Sequence, residues 1–408
     1  MRQLARRSLF AAVTAALVAC TLHAQSSRDS AGVRIVENTR PLWTDSERLV
    51  LAPTPRLAFG DSVSPPYRFR QVRGVMQLSD GHIAVADGAS LQLRMFSPDG
   101  RFLSASEVKG TEPGQPPGML FVHRQRGDTI AIASDLSTLA LYSQTGQFAR
   151  THTLPGTVDN RPSSLMLLAV MGNGTRIAAP LPRALPHATG TRWADSVALK
   201  LFAEPDAVVR ELGAFPYLEL EQVGAQPVPP WLSAIGVFVG GDDRFYAGFG
   251  DQYAIRVFAA DGTLLSIIRR SWTPTPVTPD DWEQWVVEWS KLWVTSTGAE
   301  RARDVQKVRE EPWAEMLPAF SQFIVDRSGR LWVREAHWQD AIGAGSLTDL
   351  PAVPSAWSVF DGRGRWLGDV RMPANFQAFE IGDDYVAGKA RTNGVNQVVI
   401  YSLGVRGR

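Results

Sequence analysis

The sequence predicts an all-β chain: a six-bladed β-propeller closed by an N-terminal strand, with a helical insertion between blades 4 and 5. Three observations predict it. A two-strand phrase punctuated by tight turns recurs six times along the 408 residues. The last copy stops after its third strand, and one stretch between the fourth and fifth copies changes from a period of two to that of a helix.

The first copy reads "LSDGHIAVAD" from Leu78 and "LQLRMFSPDGRFL" from Leu91. The second is "RGDTIAIASD" with "LALYSQTGQF", and the third is "GNGTRIAAP" with "VALKLFAEPDAVV" after a longer loop. "GDDRFYAGFGD" with "AIRVFAADGTLL", "DRSGRLWVREA" with "WSVFDGRGRWL", and "GDDYVAGKA" with "QVVIYSL" complete the set. Its aromatic anchors are Phe96, Tyr142, Phe202, Phe258, Phe360 and Tyr401. Gly and Asp at the turns supply the positive φ or the Asx hydrogen bond of a tight hairpin, and alternation gives each strand one apolar side. A lone meander of this kind leaves an apolar face in water; radial stacking buries it against the next copy.

The sixth copy ends at Leu403, leaving an edge of free backbone groups that an N-terminal strand should fill. "RIVEN" from Arg34 and "RLVLAP" from Arg48 are the two candidates, and the second has the better distance to the first copy. The propeller is therefore assigned to residues 48–408, with 25–47 as a separate N-terminal segment.

These copies resemble the exported six-bladed propellers related to NHL-repeat and TolB-like proteins, whose blades read G-x-(I/L)-x-V-x-D followed by (L)-x-x-(F/Y)-x-x-x-G. The resemblance covers nearly all of the chain after residue 24, although copies three and five carry long insertions. It implies the architecture and leaves function open, since such folds serve scaffolds, ligand sensors and enzymes.

Residues 1–24 read as an export signal. Arg2, Arg6 and Arg7 precede an apolar run from Leu9 to Ala19. "LVAC" has the form of a lipobox, which would make Cys20 the acylated first residue of a lipoprotein; cleavage after Ala24 is the alternative. The expected location is the cell envelope, as a lipoprotein or a periplasmic or secreted protein, touching membrane only through a lipid anchor. Cys20 is the single cysteine, so neither an internal disulfide nor a thiolate metal site is available. With 42 Lys and Arg against 41 Asp and Glu and no long run of one sign, nucleic acid is not an expected partner. The chain is expected to be monomeric.

The helical insertion is placed at 278–315. Thr278 can cap it, Pro279, Asp280 and Asp281 suit its first turn, and Trp282, Trp285, Val286, Trp289 and Trp293 fall on one stripe. A second helix is expected from Ala299 to Glu311. Docking the stripe onto the blades is the expected use, with ligand stacking or membrane contact as the alternatives.

Metalloprotease, nucleophile-elbow, phosphate-loop and paired-cysteine signatures are all missing from the sequence. Chemistry is then left to position, because the loops after the second strands gather at one mouth of a propeller channel. Those loops carry Asp87, Asp135, His187, Asp251, Glu335, His337, Trp338, Lys389 and Arg391, and Arg73 in "YRFRQVRGV" lies near the axis. Asp251, Glu335, His337, Trp338, Arg73, Lys389 and Arg391 are the candidate ligand-binding set. Asp87 and Asp135 belong to the repeat signature and are expected to hold turns. The leading reading is a non-enzymatic binding or scaffold protein for a small molecule or protein. Carboxylates and histidines at that mouth would also suit a hard divalent cation, the alternative being a metal-dependent hydrolase or lyase like the gluconolactonase type.

Overall fold

The computed structural model describes residues 25–61, 63–108, 121–134, 136–158, 161–162, 164–182, 185–203, 207–339 and 353–407. The leader, its Cys20, and Asp135 lie outside them. The described chain is mostly β, in antiparallel sheets laid out in chain order, with a propeller-type architecture and two helices among the described residues.

Each large sheet begins on an inner strand, and most of these first strands lie side by side. These inner strands are Val72–Gln77, Phe121–Gln125, Leu165–Val170, Gly236–Gly240, Gln322–Val325 and Phe376–Ile381. Val72–Gln77 lies beside both Phe121–Gln125 and Phe376–Ile381, and Gly236–Gly240 lies beside both Leu165–Val170 and Gln322–Val325. Two glycines permit the crowding. A Cβ on Gly240 would stand 1.9 Å from the Val170 carbonyl oxygen, and one on Gly74 would stand 2.6 Å from Val122 Cβ.

The turn chemistry read from the sequence is present. Asp326 Oδ1 accepts from the Ser328 and Arg330 amides at 3.0 and 2.8 Å, and Asp361 Oδ1 does the same for Arg363 and Arg365 at 2.9 Å. Asp87 is buried and accepts from the Gln71 amide at 2.9 Å, from Ser90 Oγ at 3.0 Å and from Arg94 Nη2 at 3.3 Å. Its carboxylate is thereby committed to holding the turn.

The two N-terminal segments go to different sheets. Leu49–Leu51 runs antiparallel to Leu403–Val405, and Leu57–Phe59 continues along the same strand against Val398–Ile400. Val33–Asn38 instead runs parallel to Leu264–Arg270 on the outside of the fourth sheet, with Gln25–Ser30 folded back on it. Buried Asn38 anchors it by donating to the Arg269 and Gly364 carbonyls at 2.9 and 3.0 Å and accepting from the Trp366 amide at 2.8 Å.

The insertion forms α1, Pro279–Trp293, and α2, Gly298–Arg309. A capping box starts α1: Asp281 N donates to Thr278 Oγ1 at 3.1 Å and Thr278 N donates to Asp281 Oδ2 at 2.9 Å. Trp282, Trp285 and Trp289 of the stripe face inward. Trp282, Trp285 and Val286 are buried with Leu232, Val277, Val308 and Leu317, and the Trp282 ring stacks on Trp285 at 4.8 Å and on Trp313 at 5.9 Å. In the third sheet, Arg192–Ala203 and Ala207–Val223 form a hairpin longer than the strand it borders, and Arg192 Nη2 reaches the Trp313 carbonyl at 3.1 Å.

Candidate functional site

All six inner strands contribute to one cavity of about 320 Å³ on the axis. Its walls are mainly apolar, with Phe121, Leu168, Phe238, Val239, Phe323 and Phe379 around Arg73, His123, Gln322 and Gln377. A cleft of this volume, apolar with a few inward polar groups, is the usual form of a small-molecule site.

Three β-bulges build it. In the first sheet Val72 pairs with Asp87 and Gly74 with Ala86, so Arg73 is the extra residue. Leu168 is extra between Leu167 and Ala169, as is Phe379 between Ala378 and Glu380. A bulged residue leaves the ladder and its side chain is re-aimed. All three extra residues line the cavity.

The polar groups are unspent. Arg73 Nε and Nη1, His123 Nε2 and Gln377 Oε1 are buried atoms without a hydrogen-bond partner among the described residues. Burial lowers the Arg73 pKa from its ordinary value, yet a guanidinium stays charged. Burial first, then the neighbouring Arg124 charge, pushes His123 down to about 4, so its imidazole is neutral at neutral pH.

Along the axis a second cavity of about 990 Å³ continues from the first, sharing Val122, His123, Gly240, Ile324, Val325 and Phe379 with it. Its charged groups are largely engaged. Arg124 donates to Glu380 Oε1 through Nε and Nη2 at 3.0 and 2.6 Å and pairs with Asp128. Glu380 Oε2 accepts from the Gln77 amide at 2.7 Å and the Tyr385 hydroxyl at 2.8 Å.

Of the seven residues singled out in the sequence, Arg73 lines the axial cavity and the other six do not. Lys389 is buried, opposite Gln377 in the sheet, and has partners within the protein. Arg391 is exposed near the far end of the same strand, its amide bonded to Asn375 O at 3.3 Å. Glu335 accepts from Arg270 Nη1 at 2.5 Å and from Ser358 Oγ at 3.4 Å. His337 is exposed, while Trp338 packs on the tryptophan cluster of the helices. Asp251 stands exposed on its turn, and partial desolvation raises its carboxyl pKa.

Among the described residues, the acids considered from the sequence for a divalent cation do not come together. The Asp87 carboxylate is held by Arg94 and its turn, and Glu335 by Arg270; among the described residues no three His, Cys, Asp or Glu side chains converge on a metal-sized space. His123, Gln377, Leu168 and Phe379 were not legible as site residues because strand alternation alone does not reveal which face meets the axis. The bulges shift that alternation further.

No protein-family model matches the chain, and no curated protein does. Solved structures resemble it at low identity. A member of the DUF4221 family from Bacteroides vulgatus superposes with TM-score 0.50 at 11% identity, covering 88% of this chain and 99% of that one. An exported-protein candidate of Bacteroides fragilis gives 0.47 at 12% over 91% and 99%, and virginiamycin B lyase from Staphylococcus aureus gives 0.39 at 9% over 87% and 99%. The first likeness shows the fold alone, and the two below 0.5 carry no argument.

Proposed function

We propose that the protein is an exported, envelope-associated binding propeller of the NHL-repeat and TolB-like kind that takes a small molecule in its axial cavity. In this reading the six large sheets are six blades, and Leu49–Leu51 with Leu57–Phe59 complete the last one and close the ring. The reading is carried by one observation: Arg73, His123 and Gln377, from three different sheets, all line the same aromatic-walled cavity, and each carries a buried side-chain polar atom without a partner among the described residues. Buried polar groups normally find a partner in the fold, in ordered water or in a ligand, and several such groups around one cavity are what a ligand site supplies. Binding is favoured over catalysis because no carboxylate, hydroxyl, thiol or amine lines this cavity beside the imidazole and guanidinium among the described residues, and Asp128 and Glu380 of the adjoining cavity are held by Arg124. Export rests on the basic and apolar leader and on "LVAC".

A thermal-shift screen of small metabolites on the mature protein tests this, alongside metal analysis. Compounds that bind should raise Tm by a few degrees at a hundred-fold excess over Kd. Val239→Trp, which fills the cavity, should abolish those shifts. Hits that survive the filled cavity, or a stoichiometric divalent ion coupled to hydrolysis of a screened compound, would overturn the reading.

A further inference from the structure

Resting on that reading of the cavity, we infer that its ligand is a small monoanion with an apolar, ring-compatible body, an aryl or branched-chain carboxylate whose charged end meets Arg73.

The argument begins with charge. Arg73 is the single formal charge at the cavity wall among the described residues, since the lining contains neither Asp nor Glu and His123 is neutral. Burial acts on the Arg73 guanidinium without any neighbouring carboxylate to oppose it. A partly buried cation without an acidic partner has lost some of its hydration, and an anion that arrives with its own hydrogen-bond acceptors makes up that loss. A neutral or cationic ligand would leave that loss in place or add to it.

The rest of the lining sets the remaining chemistry. Gln377 Oε1 accepts and a neutral His123 Nε2 can donate or accept, so at most a few further polar atoms on the ligand can be satisfied. The bulged Leu168 and Phe379 and the rings of Phe121, Phe238 and Phe323 offer only apolar contact, which disfavours a sugar or a polyol. The 320 Å³ on the Arg73 side of the two joined cavities holds a small ligand body.

Calorimetric titration of phenylacetate, 3-phenylpropionate and isocaproate against their amides, on the mature protein, provides the test. The acids should bind at least ten-fold more tightly than the amides, and Arg73→Gln should remove that preference while Arg73→Lys keeps part of it. Without ligand, Arg73→Gln should melt close to the parent temperature, because a partly exposed guanidinium with no acidic partner contributes little to the fold; loss of a merely structural arginine would lower it. Amides or phenethylamine binding as well as the acids, with Val239→Trp still abolishing binding, would overturn the anion and leave the cavity intact. Binding of the acids that Val239→Trp does not affect would overturn the cavity itself. Failure of all three acids to bind, or a marked loss of stability in Arg73→Gln, would also overturn the inference.

Discussion

Arg124 Nη2 lies 2.6 Å from Glu380 Oε1, joining two side chains 256 residues apart. The pair ties the second sheet to the last across the first, since Glu380 also accepts from the Gln77 amide and Asp128 from the Ser79 amide at 2.8 Å. Both side chains are largely buried, at 18% and 13% exposed. Removing Glu380 leaves Arg124 with Asp128 as its acidic partner and takes the acceptor from the Gln77 amide and the Tyr385 hydroxyl, a loss of about 1–3 kcal/mol. Glu380→Ala should therefore lower stability by roughly that amount in urea unfolding, and Glu380→Gln should lose less because it keeps an acceptor for Gln77. A Glu380→Ala protein within about 0.5 kcal/mol of the parent would show the bond to be ornamental.

Such long-range ties mark the boundary of what a sequence displays. The turns, the repeated strands and the capped α1 were legible because their causes are local: an Asp two or four residues from the amides it accepts, or Thr278 three residues before Asp281. The stripe of Trp282 and Trp285 was legible as one helix face, and packing decided its use. The cavity was not legible. Arg73, Leu168 and Phe379 each reach it through an inserted residue, and a bulge reverses the inside-outside assignment downstream of it without leaving a compositional trace. Loop position likewise suggested that Glu335 and His337 share a mouth, but the preference of Glu335 for Arg270 and of Trp338 for the helices is set by elements far away in sequence.

Protonation of His123 should couple folding to pH. Its folded pKa is depressed to about 4 from 6.5, so between those values the unfolded chain binds a proton that the native protein refuses. The stabilisation is fully present above pH 6.5 and is lost as pH falls toward 4, with a limiting slope of about 1.4 kcal/mol per pH unit. Unfolding free energies measured at pH 7, 6 and 5 should show a decline that His123→Gln reduces. An identical pH profile in the variant would remove His123 as its source.

Gly240→Ala should be among the most damaging single-methyl changes in the chain. The new Cβ would be driven to 1.9 Å from the Val170 carbonyl oxygen, a backbone atom that cannot rotate away. The inner strands Leu165–Val170 and Gly236–Gly240 would have to separate, opening the cavity wall at Val239. Overpacking of this sort costs typically about 1–3 kcal/mol. The expected result is a Tm several degrees lower together with weakened binding of any axial ligand; an unchanged Tm would mean that the two strands have room that this packing denies them.

The final prediction concerns the strand that borders the C-terminal one. Leu49, Val50 and Leu51 pair with Val405, Gly404 and Leu403, the Ala52 amide donates to Ser402 O at 2.9 Å, and Arg406 N donates to Arg48 O at 2.9 Å. Leu49 also sits in a cluster with Trp332, Trp357 and Tyr401. Deleting 48–53 would strip this edge of several hydrogen bonds, each contributing roughly 1 kcal/mol, and take away a buried leucine whose loss costs about 2–5 kcal/mol. It would also expose an unpaired edge to other chains. The deletion variant should melt well below the parent and form concentration-dependent aggregates in light scattering, and a synthetic peptide spanning 45–60 should restore part of the lost Tm. A variant that melts like the parent and stays monodisperse would show that Leu57–Phe59 alone suffices beside Val398–Ile400, and would remove Leu49–Leu51 from the proposed closure of the ring.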